Sequence, residues 1–294
     1  MLALCVLFGW LTSSAIVTWR LTHRDSPREI EPLPTIPDAK VEDLQLRTTD
    51  GETIGAWLFR GESDNPCVIV THGRGSTRRH RLKEITILVN SGYPVIALTH
   101  RALGDSTGEI DDAGWTGRHD VIAAVQCAER EFPGQPIVIL GQSMGSAAAI
   151  FAARDIQERV SGYILEQPYN DLDTAVWRRL QHYLPPFFDS IAYWGMNFWA
   201  PVLLPFDIDD VSPEQFAEMI PDSVPVVILC GSDDPQCPLS DVEQVFARVE
   251  SHGELIVFEA DSHAPLIDSS PTQYRSTLLT LLHQMDDSQH RDGQ

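Results

Sequence analysis

Residues 136–153 read PIVILGQSMGSAAAIFAA. The run Pro136 to Leu140 is apolar without alternation, as expected of a strand buried on both faces. The small residues from Ser146 to Ala153 read as a helix that packs closely on its neighbours. Between them Gly141-Gln142-Ser143-Met144-Gly145 has the form G-x-S-x-G. With a strand before it and a helix after it, this is the setting of a nucleophile elbow. Glycines at 141 and 145 remove side chains that would collide in so tight a turn. Ser143 is left at the C-terminal end of a strand, beside a helix N-terminus. The simpler alternative is a glycine-rich turn with a capping serine.

Similar apolar runs recur at 67–71, 94–99, 160–165, 224–230 and 254–260. Helix-like stretches lie among them at 77–91, 115–131, 144–156, 239–251 and 271–285. This alternation predicts an α/β fold: a mostly parallel central sheet with helices on both faces. Segments 41–48 and 53–60 flank Asp50-Gly51, a hairpin signal. Residues 170–222 break the rhythm, holding ten of the 24 aromatic residues. An insertion of that length between strands is usually functional. An aromatic-rich one suits a cap over an apolar pocket, or it forms a small core of its own.

A serine hydroxyl is a weak nucleophile and needs a base. Of ten histidines, His263 lies in the loop after the last apolar run, at the sheet edge where Ser143 is expected. His252 precedes that strand and His283 falls in a helix. The base needs an orienting carboxylate. Strand 224–230 runs into Gly231-Ser232-Asp233-Asp234, where two aspartates compete.

These features together resemble the α/β-hydrolase superfamily, over residues 41–285. The order Ser143, acid, His263 is that superfamily's order. Its acid loop commonly reads G-x-x-D-x-x-x-P, which fits Gly231, Asp234 and Pro238 and favours Asp234, with Asp233 as the alternative. Thr71-His72-Gly73-Arg74-Gly75 resembles its H-G-x-x-G oxyanion loop. The resemblance implies that the backbone N–H groups of Arg74 and Met144 face the developing oxyanion, and that His72 is structural. RALGDSTG at 101–108 is similar to the R-G-x-G-x-S-x-G loop of lipase- and peptidase-like members, with Ala102 in place of the usual glycine.

Five of the 21 basic residues lie within 74–83: Arg74, Arg78, Arg79, Arg81 and Lys83. They read either as an anion site near the active-site mouth or as a solvated helix face. Elsewhere the chain is acidic, with a net charge of −21. Such a field repels phosphate backbones and argues against nucleic-acid binding. Lys40 and Lys83 are the two lysines, which leaves little scope for Schiff-base chemistry. Five scattered cysteines give no metal spacing and no disulfide framework, although Cys230 and Cys237 could meet across one loop. H-E-x-x-H and P-loop patterns are absent, so no metal or organic cofactor is implied.

Residues 1–24 form a hydrophobic anchor or signal; 1–19 carry no charge and are long enough for a bilayer core. A basic n-region is lacking, which favours an uncleaved single-pass anchor over a secretory signal. Arg20, Arg24 and Arg28 then place the following domain on the cytoplasmic side. Residues 25–40, with four prolines, read as a semi-rigid spacer or as a coil packed along the domain. Residues 286–294 are a polar tail.

The resulting expectation is a membrane-anchored serine hydrolase acting on a carboxylic ester, lipid-like in the first choice. A short peptide or a thioester would suit the same residues. A non-catalytic binding module would lack a member of the triad or fill its oxyanion loop.

Overall fold

Val41–Arg47 (β1) and Thr53–Phe59 (β2) pair antiparallel around Asp50-Gly51, where Thr48 Oγ1 donates to Asp50 Oδ1 at 2.6 Å and Gly51 takes a φ of +102°. The computed structural model describes residues 1–24, 27–61 and 65–292, with side chains to residue 286. Six further strands follow: Cys67–Val70 (β3), Val95–Leu98 (β4), Ile137–Gln142 (β5), Gly162–Glu166 (β6), Val226–Gly231 (β7) and Gly253–Phe258 (β8). The eight strands form one sheet in the order β1-β2-β4-β3-β5-β6-β7-β8. From β4 to β8 every pairing is parallel. The C-terminal ends of those strands therefore share one edge, and strand order reverses around β3, where open α/β sheets bind ligands.

The helices are Leu2–Thr22 (α1), Leu82–Asn90 (α2), Arg118–Glu131 (α3), Met144–Ile156 (α4), Leu172–Tyr183 (α5), Phe188–Leu203 (α6), Pro213–Ala217 (α7), Leu239–Phe246 (α8), Leu266–Ser269 (α9) and Pro271–Asp292 (α10). Residues of α3, α4 and α8 pack in one apolar core and residues of α2, α9 and α10 in another. That double cover is why the strands read as unbroken apolar runs. The alanines of α4 are fully buried; a helix with so little side-chain bulk can lie close against β5 and α3.

Residues 170–222 form α5, α6 and α7. The Pro-rich segment does not hold the domain at a distance. The Glu29 N–H donates to Gly104 O at 3.2 Å, Glu31 accepts from Thr99 Oγ1 at 2.7 Å, and Ile36 is buried. Residues 25 and 26 of that segment, and 293 and 294 of the tail, lie outside the described residues. The tail itself continues α10 to Asp292. All five cysteines are free thiols, Cys230 and Cys237 included.

The basic run 74–83 is a solvated face only in part: Arg79 and Lys83 are exposed. Arg78 and Arg81 are fully buried. Arg78 meets both Asp105 oxygens at 2.7 and 2.8 Å, with its guanidinium 4.7 Å from the Trp57 ring centroid. Arg81 meets Glu166 at 2.9 and 3.0 Å and Glu84 at 3.0 Å. Arg74 holds Asp111 at 2.9 Å, and Lys83 holds Asp268. Desolvated guanidinium groups need carboxylate partners, so buried carboxylates account for Arg78 and Arg81, whereas the Lys83 pair lies at the surface.

With 42 acidic against 21 basic residues, the surface left over repels itself. Raising NaCl from 0.1 to 1 M shortens the Debye length from about 10 to about 3 Å. The melting temperature should rise by several degrees, at about 1.5–2 °C per kcal/mol relieved in a chain this long. A scanning-calorimetry trace that does not move with salt would refute this.

Candidate active site

Ser143 sits between β5 and α4 with φ 50° and ψ −113°, a strained conformation for a residue with a Cβ, typically costing about 1–3 kcal/mol. Its N–H donates to Glu166 O at 2.8 Å, tying the turn to the end of β6. The neighbouring backbone approaches so closely that a Cβ on Gly145 would lie 2.2 Å from Thr71 Oγ1. Glycine there is a steric requirement.

His263 lies in the loop after β8. Its Nε2 is 2.9 Å from Ser143 Oγ and its Nδ1 is 2.6 Å from Asp234 Oδ2. Asp234 is buried. Its Oδ1 accepts from the backbone N–H groups of Gln236 and Cys237 at 2.8 and 3.1 Å, and its Oδ2 accepts from Gln167 Nε2 at 2.9 Å. Burial alone would raise the Asp234 pKa. The His263 hydrogen bond and charge, with the two N–H groups, outweigh it and hold the carboxyl below its ordinary value. Asp233 is exposed and accepts from Ser232 Oγ instead. Of the two aspartates, Asp234 is the one that reaches the imidazole.

Loop 71–75 follows β3 and lies against the elbow: a Cβ on Gly73 would be 3.5 Å from Ser143 Cβ. Met144 opens α4, so its N–H has no helical carbonyl four residues back. His72 is fully buried. Its Nε2 accepts from His100 N–H at 3.0 Å while Nδ1 donates to Gly73 O at 2.8 Å. Burial, and His100 beside it, hold its pKa well below the usual range. It therefore stays neutral and props the loop. Ala102 adopts φ 62°, the left-handed conformation that glycine would take without strain.

Cys237 joins Asp234 and His263 in a group whose potential metal-ligand atoms lie within 4.8 Å of one another. Burial pushes its thiol well above the ordinary value, so without a metal it is protonated. Asp234 and His263 already bond each other. The Asp234–His263 bond is the geometry of a proton relay.

The pocket in front of Ser143 is lined by Arg74, Met144 and Tyr169 and roofed by Leu172, Val176 and Arg179 of α5. Arg179 makes no ion pair or hydrogen bond among the described residues, whereas its neighbour Arg178 pairs with Asp241 at 3.1 Å. Residues 170–222 read as a cap, but the residues of it that line this pocket are aliphatic with one arginine rather than aromatic. The signal was present: Leu172, Ala175, Val176 and Arg179 stand at i, i+3, i+4 and i+7, one helical face.

The profile of the serine aminopeptidase family S33 matches residues 62–205. An esterase from Pyrococcus furiosus superposes with a TM-score of 0.71 at 23% identity, covering 88% of this chain and 99% of that one, a likeness of fold. The chain belongs to the α/β-hydrolase superfamily. Within it the chain is of the lipase, esterase and serine-aminopeptidase type. The human protein ABHD12B is 24% identical over 81% of this chain and 65% of its own length. Human monoglyceride lipase is 29% identical over 48% of each chain. This hydrolase thus spans about two-thirds of the first of these relatives and half of the second.

Proposed function

We propose that the protein is a serine hydrolase that cleaves a carboxylic ester with an apolar acyl chain. The observation that carries this reading is the continuous hydrogen-bonded path from Ser143 Oγ through His263 to Asp234, at 2.9 and 2.6 Å. His263 Nε2 takes the hydroxyl proton as Oγ attacks the carbonyl carbon. The Arg74 and Met144 N–H groups hold the tetrahedral oxyanion; one such donor is worth about 3 kcal/mol of barrier. The imidazolium, stabilised by ionised Asp234, returns the proton to the leaving alcohol. Water activated by the same imidazole then releases the acid from Ser143.

The apolar wall of α5 beside Ser143 favours an ester with a hydrocarbon chain. The match to the serine aminopeptidase profile, which spans Ser143, supports an amide reading as the alternative. We place the protein at a membrane through α1, whose 21 residues rise about 31 Å.

Two measurements test this. A fluorophosphonate probe should label the wild-type chain and leave Ser143→Ala unlabelled; labelling that persists sinks the nucleophile assignment. p-Nitrophenyl esters should turn over at least ten times faster than aminoacyl-nitroanilides. Turnover of the anilides alone would replace the esterase reading with the peptidase one.

A further inference from the structure

The N-terminal helix does not stand apart from the catalytic domain. Its C-terminal end is stitched to loop 101–113 by a His23–Ile110 bridge and by Asp111 N–H donating to Thr22 O at 2.8 Å. Its middle packs on α6 of the cap. Gly195 lies so near Ser14 that a Cβ there would stand 2.6 Å from Ser14 Cβ. Trp10 Nε1 donates to Ile191 O at 3.1 Å and Trp199 Nε1 to Leu11 O at 2.9 Å. Close approach at small residues with polar groups satisfied between helices is how helices pair in lipid.

The outer face of this pair is largely apolar. Residues 190–206 carry no charge. Trp194, Phe198 and Val202, one stripe at four-residue spacing, are all more than half exposed, beside exposed Phe8, Ile16 and Val17 of α1. A continuous apolar face of this kind marks an interaction site, and its continuity with a helix of membrane length identifies hydrocarbon as the occupant.

A cleft of about 60 Å³ lies between the two helices, lined by Thr18, Leu21 and Thr22 of α1 and by Met196 and Ala200 of α6. Arg74, Ala113, Leu172 and Val176 line both this cleft and the pocket at Ser143. The two spaces therefore adjoin. A cleft of that size takes a few carbons of a chain, and the remainder must run out along the α1–α6 seam.

We propose that α1 is a wall of the acyl subsite as well as an anchor. In this arrangement α1 and α6 lie side by side in the lipid, and an ester with a long apolar chain reaches Ser143 from the bilayer along their seam. The proposal rests on the reading of Ser143 as nucleophile.

The test uses the full chain in phosphatidylcholine vesicles and reads the ratio of kcat/KM for p-nitrophenyl dodecanoate to that for p-nitrophenyl acetate. Thr18→Trp fills the cleft from α1 and should lower the ratio at least tenfold. Val17→Trp adds the same bulk on the lipid side and should leave the ratio unchanged. Leu21→Ala, a milder change, should move the preferred chain length upward. An unchanged ratio in Thr18→Trp, an equal fall in Val17→Trp, or an unmoved chain-length optimum in Leu21→Ala would each overturn the proposal while the esterase reading stands. A wild-type chain inert to both esters would overturn that reading and this one together.

Discussion

Ser143→Ala lowers kcat/KM for a short p-nitrophenyl ester by at least about 10⁴-fold, and His263→Ala does nearly the same. The double variant is scarcely slower than either single one. The reason is that the hydroxyl and imidazole form one relay: without the base, Oγ is an ordinary alcohol, and without Oγ the base has no proton to take. Asp234→Asn also costs about 10⁴-fold, because an amide at 2.6 Å from Nδ1 can donate to that nitrogen and impose the wrong tautomer. Asp233→Asn leaves the rate within about twofold, since its carboxylate faces Ser232 and solvent. Steady-state kinetics on the four single variants and the double one checks the set. Independent, additive losses at Ser143 and His263 would contradict a shared relay.

The legible part of the molecule is the part governed by local rules. A strand buried on both faces must be apolar, so β3 to β7 announced themselves, as did the apolar run of the half-exposed edge strand β8, and with them the sheet edge that gathers residues 143, 234 and 263. The elbow was legible because its glycines are sterically forced. Long-range pairing was not legible. Nothing adjacent to Arg78 or Arg81 tells that Asp105 and Glu166 await them 27 and 85 residues away, so a run of five basic residues read as surface. The same holds for α1. Its composition gave a membrane segment, but the Gly195–Ser14 approach depends on where the cap helices return. The cap was legible as a long aromatic-rich insertion, but which of its faces meets Ser143 was not: that face is aliphatic with one arginine.

The buried charges missed in the sequence also make the largest stability prediction. Arg81 is the cation between two carboxylates, Glu166 and Glu84, both buried; Tyr274 Oη also bonds Glu166. Arg81→Ala leaves these carboxylates uncompensated and should cost about 3–5 kcal/mol, a large fraction of the total stability of about 5–15 kcal/mol typical of proteins. Arg81→Met combined with Glu166→Gln should cost less than Arg81→Ala alone, because removing both charges leaves less to desolvate. The ends of the network differ in function. Glu166 O holds the Ser143 N–H, so variants that loosen β6 should lose turnover before they lose secondary structure. Acid titration separates the carboxylates further. Burial drives the Glu84 pKa up, Arg81 draws it down and Glu166 raises it again, so that it is pushed up to about 6 from 4.5. A carboxyl with a raised folded-state pKa favours the folded protein below its unfolded pKa, and that advantage fades as pH climbs through about 6. Glu84→Gln should therefore flatten the decline in urea-unfolding stability between pH 4.5 and 6, an effect of roughly 2 kcal/mol. If the slope in that window survives in Glu84→Gln, another group carries it and the assignment to this triad of charges is wrong.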